Sequence, residues 1–178
     1  MLNRIRGFTL IELLIVVAII GILAALLIPN ALTAIQKAKQ KSTMKDLTTV
    51  STAVADYITD HGTAPIQDGT YDASAVFYDA LSPFYVKVLP ITDQWATNFN
   101  VWCGTAADGN YGATGAGTDD FIVSSFARDK TLEGFSFDPN NPEAGLFLVD
   151  SMADFNCDLV MWNGSWIRAP RTAAAATT

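Results

Sequence analysis

Histidine, cysteine and basic side chains are all scarce in this chain. It has one histidine, His61, and two cysteines, Cys103 and Cys157, in 178 residues. A Ser-His-Asp or Cys-His enzyme needs a histidine with partners, and His61 has none around it in the sequence. The cysteines are too few for a disulfide scaffold and lack the close Cys/His spacing of a zinc site. Eleven basic side chains face 18 acidic ones, a net charge of -7. Direct nucleic-acid binding is therefore not indicated, because phosphate contacts need clustered Lys and Arg. Apolar residues make up 50% of the chain and aromatics 11%, which excludes disorder over most of it and suits one domain.

What the chain does have is a long apolar run near its start. Leu13 to Ile28 is sixteen consecutive apolar or glycine residues, and counting back to Phe8 gives 21 residues broken only by Thr9 and Glu12. A helix of that length covers roughly 30 Å, the thickness of a bilayer core. Arg4 and Arg6 precede it and hold the N-terminus in the cytoplasm. An ordinary signal peptide ends at a small-residue cleavage site followed by a polar mature start. Here the small residue, Gly7, lies before the run, and the run continues into Pro29 and Asn30. Glu12 is the odd residue. A carboxylate at the centre of a membrane segment costs about 3 kcal/mol, less near an end, so it calls for a partner that a simple anchor does not supply.

Gly7-Phe8-Thr9-Leu10-Ile11-Glu12-Leu13, with Gly21 and Pro29 downstream, resembles the leader junction and helix of type IV pilins and type II secretion pseudopilins. The resemblance implies cleavage after Gly7 by a prepilin peptidase and methylation of the new amino terminus of Phe8. It implies that Glu12 neutralises the Phe8 amine of an adjacent subunit during filament assembly. It also implies local melting of the helix between Gly21 and Pro29 in the filament; both residues weaken helical hydrogen bonding, and Pro29 removes a donor outright.

Beyond Pro29 the chain reads as helix to about Asp60, with Ile35, Ala38, Met44, Leu47, Val50, Val54 and Tyr57 forming an apolar stripe interrupted near Ser42. Gly62 and Pro65 stop it. Lys37, Lys39, Lys41 and Lys45 read as a solvated face, with contact to an acidic neighbour as the alternative. A short helix is expected over Tyr71 to Leu81, and strands at Phe121 to Phe126 and Gly145 to Val149. Gly104 to Asp120 reads as a surface loop; its glycines lack the Gly-Lys-Ser/Thr of a phosphate-binding loop. Leu159 to Trp162, Asn163-Gly164 and Ser165 to Ile167 spell a two-residue hairpin. Asp93-Gln94-Trp95-Ala96-Thr97-Asn98-Phe99 resembles the Asp-Pro-Trp-Gly-x-Pro-Tyr turn of major pseudopilins, with Gln94 and Ala96 at its Pro and Gly positions; as bare chemistry it is an Asx-type turn with a core Trp.

Two further site expectations concern the region after the helix. Cys103 and Cys157 would both lie outside the cytoplasm, where a bridge persists and would stabilise by roughly 4 kcal/mol. Two buried free thiols are the alternative. A disulfide near the C-terminus is a common pilin feature. Ser125-Phe126-Ala127-Arg128-Asp129 followed by Asp158-Leu159 loosely resembles the calcium loop of major pseudopilins and implies Asp129 and Asp158 as ligands; solvated carboxylates are the alternative. Asp154-x-Asn156-x-Asp158 is not an EF-hand, since Leu159 and Ser165 occupy its Gly and Glu positions. His61 reads as a helix-end cation.

The expected architecture is α+β: a long N-terminal α-helix, hydrophobic in its first half, packed on a small antiparallel β-sheet domain. The expected organisation is a leader at 1–7, a membrane and polymerisation helix at 8–29, its amphipathic continuation at 30–61, a pilin domain at 62–171 and an Ala/Thr tail at 172–178. The resemblance implies a non-enzymatic structural subunit of a type IV filament, with a type II secretion pseudopilin as the alternative and no certain cofactor beyond possible calcium. The implied partners are copies of itself, a prepilin peptidase, the inner-membrane assembly platform and minor pilins. The implied location is the inner membrane, then a surface pilus or a periplasmic pseudopilus.

Overall fold

A computed structural model describes residues 8–171. The leader, with Gly7, Arg4 and Arg6, and the tail from Thr172 lie outside the described residues. The chain divides into two compact units, with the boundary between Lys37 and Ala38. Helix α1 (Leu10–His61) is continuous in its backbone pattern through that boundary, as the helical reading to about Asp60 anticipates.

In the first unit the helix is stripped of neighbours. Leu10, Ile22 and Leu26 are 81%, 65% and 70% exposed, and no residue of the most apolar 18-residue window is buried. This is the one helix among the described residues long and apolar enough to cross a membrane. Gly21 and Pro29 do not break it in the single chain. Around Pro29, side chains supplement the backbone: the Asn30 amide donates to the Leu26 carbonyl at 3.4 Å and the Thr33 hydroxyl to the Pro29 carbonyl at 3.1 Å.

The second unit is an α+β domain built on the rest of α1. Leu47, Val50, Ala53 and Val54 are buried at three- and four-residue steps, with Met44 and Tyr57 packed beside them. The interruption near Ser42 in the apolar stripe is filled by two buried polar residues, Gln40 and Thr43, and Thr43 accepts the Gln94 backbone N–H at 3.2 Å. Against this face lies a six-stranded sheet in the order β1-β2-β3-β5-β6-β4. Its strands are β1 (Asp68–Thr70), β2 (Asn100–Cys103), β3 (Phe121–Ser125), β4 (Leu146–Phe147), β5 (Leu159–Trp162) and β6 (Ser165–Pro170). Neighbours are antiparallel except β4 and β6, which are parallel. Val101, Cys103, Phe121, Val123, Leu159 and Met161 share the core with α1. Trp102, Ile122, Val160 and Ile167 form a second core on the opposite face. Both faces being covered explains why β2, β3 and most of β5 read as apolar runs rather than alternating ones.

The Gly-rich segment is a surface loop as read, anchored by three buried residues. It winds through two short 3-10 turns, Gly104–Ala107 and Asn110–Gly112, and lays Ala107, Tyr111 and Ala113 on the second core. The glycines make this close path possible; a Cβ on Gly112 would meet the Ser136 hydroxyl and the Phe137 backbone. Helix α2 (Val76–Leu81) starts later than Tyr71, because Asp72 captures the N–H and hydroxyl of Ser74 in an Asx turn. The final hairpin forms as read, with Asn163 and Gly164 both at positive φ and Trp162 opposite Ser165.

Candidate functional site

The start of α1 carries the first candidate site. Thr9 precedes the helix, and its hydroxyl accepts the Glu12 N–H at 3.3 Å. The Glu12 carboxylate reaches back, its Oε2 accepting the Thr9 N–H at 2.9 Å and the Thr9 hydroxyl at 2.7 Å. This is a capping box, in which a residue before the helix and one three places on satisfy each other's donors. Phe8 is 73% exposed immediately ahead of it. The geometry places an acidic group in the first turn of an unpartnered apolar helix, four residues past Phe8.

The second candidate is the buried polar cluster under the Gly-rich segment. Asp158, wholly buried, accepts the Tyr111 hydroxyl at 2.7 Å and the Glu133 N–H at 3.0 Å through Oδ2. Its Oδ1 has no hydrogen-bond partner among the described residues. Burial pushes the Asp158 carboxyl up to about 6 against the pull of these two donors. Burial and the facing Asp158 charge likewise raise Tyr111. Glu133 returns the Asp158 contact by accepting its N–H at 3.2 Å, and it is paired with Arg168, whose Nε donates to Oε2 at 3.0 Å. The Arg168 guanidinium sits between two rings, 4.9 Å from Phe135 and 5.0 Å from Phe147, and donates to the Gly145 carbonyl. Gly145 must be glycine here, because a Cβ would fall 1.8 Å from the Ile167 carbonyl oxygen.

The structure does not gather Asp129 and Asp158 with a third carboxylate into a calcium site among the described residues. Calcium takes six to eight oxygens, whereas the positive charge beside Asp158 is already supplied by Arg168 through Glu133. Asp129 uses its Oδ1 on the Thr131 N–H at 3.2 Å, within its own turn. Among the described residues no three His, Cys, Asp or Glu side chains gather into a metal-holding group. The cluster was not legible in the sequence, because its members stand 25 to 47 residues apart.

The expected Cys103–Cys157 bridge is also corrected. Both thiols are free. Cys103 pairs with Phe121 at one end of β3, while Leu159, two residues after Cys157, pairs with Ser125 at the other end. Four residues along β3 and two strand spacings put Cys103 about 16 Å from Leu159, with Cys157 two residues beyond that end of β5, whereas a disulfide needs Cα atoms within roughly 7 Å. Burial pushes the Cys103 thiol up to about 12, which leaves it inert. His61 closes α1, stacked on Tyr57 at 4.0 Å with Nδ1 3.1 Å from the Tyr57 carbonyl oxygen.

Comparison with known proteins bears directly on the helix-start site. The family described as the prokaryotic N-terminal methylation motif matches residues 2–28. The type II secretion system core protein G of Vibrio cholerae is 32% identical over 129 residues, covering 64% of this chain and 88% of the relative. The protein of the same name from Aeromonas hydrophila is 32% identical over 140 residues, covering 71% and 96%. The type IV major pilin protein PilA of Myxococcus xanthus is 56% identical over 50 residues, 28% of this chain and 23% of that protein. No solved structure matches the chain. The chain belongs to the type IV pilin and type II secretion pseudopilin family.

For a pilin-family chain the observed parts acquire roles. Membership implies self-assembly into filaments and processing by a prepilin peptidase. The apolar helix behind a leader motif implies insertion in a membrane before assembly. The relatives are structural pilins and pseudopilins. The pseudopilin-like turn at Asp93 forms as an Asx-type turn. Buried Asp93 accepts the N–H groups of Trp95 and Thr97 at 2.9 Å each through Oδ1 and the Ser125 hydroxyl at 2.7 Å through Oδ2. Ala96, at the glycine position of the family pattern, stands at φ 61, the left-handed region that favours glycine.

Proposed function

We propose that this chain is the major structural subunit of a type IV filament. Cleavage after Gly7 frees the Phe8 amine, which is methylated, and the helix of residues 8–29 then leaves the membrane to pack among the helices of neighbouring copies. The single observation that carries this reading is the capped, unpartnered apolar helix with Glu12 at its first turn. Glu12 meets the Phe8 amine of an adjacent subunit, satisfying two charges that the filament core would otherwise leave unpaired. That exchange replaces the Thr9 contacts of the free subunit by a stronger charge-assisted pair. Gly21 and Pro29 then lower the cost of opening the helix between them when subunits pack.

Residues 30–61 continue the helix into the sheet domain at 62–171, which faces outward. Before assembly the subunit is held in the inner membrane with its N-terminus in the cytoplasm, and an inner-membrane platform and minor pilins receive it. A surface pilus is the leading reading. A periplasmic secretion pseudopilus is the second, favoured by relatives named type II secretion core protein G whose matches cover 64% and 71% of this chain, more than the helix alone.

The test is intact and peptide mass measurement on filaments sheared from cells, beside a Glu12→Ala strain. The expected result is a chain starting at N-methylated Phe8, with filaments lost in the variant. A chain still starting at Met1 would overturn the proposal. Cleaved chains without surface filaments would move the assignment to the pseudopilus.

A further inference from the structure

Charge is distributed along α1 in two blocks. Between Glu12 and Lys37 no residue is charged; Lys37, Lys39, Lys41 and Lys45 then follow before the next carboxylate, Asp46. Residues 13–36 give about 36 Å of uncharged helix, against a bilayer core of roughly 30 Å. The polar residues in it do not end the apolar surface at Pro29. The Asn30 amide and the Thr33 hydroxyl are turned back onto the Leu26 and Pro29 carbonyls, and Leu32 and Ile35 beyond them are 49% and 52% exposed. With Glu12 held at one boundary of the core, about 20 residues of helix fill it, and the other boundary falls near Thr33. Lys37 then lies about 6 Å past that boundary, within a headgroup layer roughly 5–8 Å deep. Lys39 and Lys41 follow about 3 and 6 Å further along the helix, inside a Debye length of about 8 Å from that layer. Lysine arms on a helix lean toward its N-terminus, which here is toward the membrane.

No group of the chain answers these charges. Among the described residues the one ion pair is Arg168 with Glu133. Lys37 and Lys41 are exposed and stand at i and i+4, a like-charge spacing that weakens a helix unless an anion comes from outside. The lysines also run against the usual charge bias of membrane segments: Arg4 and Arg6 precede the span, and four lysines follow it on the side the chain must translocate. We infer that Lys37, Lys39 and Lys41 bind the phosphate groups of anionic phospholipids in the leaflet from which α1 emerges, holding the unassembled subunit at a fixed depth. The contact presupposes the membrane-held subunit of the filament reading and adds to it the headgroup chemistry that this subunit engages. Residues 46–178 carry 17 acidic and 5 basic groups, and they would keep a free chain away from an anionic surface. The span removes that obstacle. It delivers the lysines to the headgroups with no approach to be made, and carboxylates more than a Debye length from the surface are screened from it.

The experiment places the full chain, its lysine amines labelled with nitrogen-15, in vesicles of phosphatidylethanolamine and phosphatidylglycerol. Solid-state nuclear magnetic resonance then reads contact between those amines and lipid phosphorus. The expected result is dephasing of the amine signal by phosphorus in the wild-type chain, lowered at least threefold by Lys37→Gln with Lys39→Gln and Lys41→Gln. Lys45, Lys87 and Lys130 remain in that variant as the internal reference. Dephasing absent from the wild type, or undiminished in the triple variant, would overturn the inference. Equal wild-type dephasing in phosphatidylcholine vesicles supplied with inorganic phosphate would also overturn it, since any headgroup or free phosphate would then suffice. Glutamine keeps the helix propensity of lysine, and flotation of both chains with the vesicles in molar salt verifies the span. A wild-type chain that salt washes from the vesicles would instead count against the membrane-held subunit itself.

Discussion

Residues 10–37 and residues 38–171 handle apolar surface in opposite ways. In the first unit, large side chains such as Leu10, Leu26 and Leu27 are about 70% exposed or more, and the polar contacts described are local to the helix, as in the Thr9–Glu12 box and the bonds around Pro29. In the second, Leu47, Val50, Phe99, Ile122 and Val123 are wholly buried, and a polar network joins Tyr111, Asp158, Glu133 and Arg168 across the sheet. One unit is finished only by other molecules, lipid first and then other subunits. The other completes its own core. Substitutions in the first should therefore change assembly without changing folding, and substitutions in the second should do the reverse.

The sharpest way to break this division is Glu12→Ala. Filament yield should fall by two orders of magnitude or more while thermal unfolding of the sheet domain stays put; a parallel loss of domain stability would show that the units are not independent. Phe99→Ala is the reciprocal change. It should cost about 4 kcal/mol of domain stability through the cavity it leaves, read as a lowered unfolding midpoint of the detergent-solubilised chain, with cleavage after Gly7 unaffected.

A smaller effect sharpens the polar side of the comparison. The folded-state pKa of Asp158, raised to about 6 by burial, lies above its unfolded value. The ionised form is therefore the costly one, and the domain gains stability as pH falls from above 6 toward 4, by about 3 kcal/mol at most for this group. Asp158→Asn should flatten that dependence between pH 7 and pH 5, and a variant with the wild-type slope would show that another group carries it. Smaller still, Ala96→Gly should raise stability by about 1 kcal/mol by relieving a left-handed backbone that alanine adopts at a cost. An unchanged or lower unfolding midpoint would show that the turn carries no such strain.

The first unit was legible in the sequence and the second only in pieces. Helix α1, the Asn163-Gly164 hairpin and the strand at Phe121 are written locally, in runs, caps and turn residues that act within a few positions of one another. Strand β1 was not, because Asp68-Gly69-Thr70 has no apolar alternation and is held only by its pairing with β2. The Gly-rich segment reads as a surface loop and is one, but its anchoring is not written locally: nothing in the run of glycines shows that it buries Tyr111. The disulfide expectation failed on register. Two cysteines in an oxidising compartment are compatible with a bridge, and only the pairing of β2 and β5 along opposite ends of β3 shows that they cannot meet. The Arg168–Glu133–Asp158 network links residues 25 to 35 positions apart, and no spacing rule reaches that far.

The sheet order has a consequence for the integrity of the subunit. Strand β6, residues 165–170, lies between β5 and β4, so β4 has no partner in the sheet without it. Loss of that one strand would unpair β4 and bare the edge of β5 while leaving helix α1 whole, so a nicked subunit would keep its means of assembly and gain an open edge that pairs with the wrong neighbour.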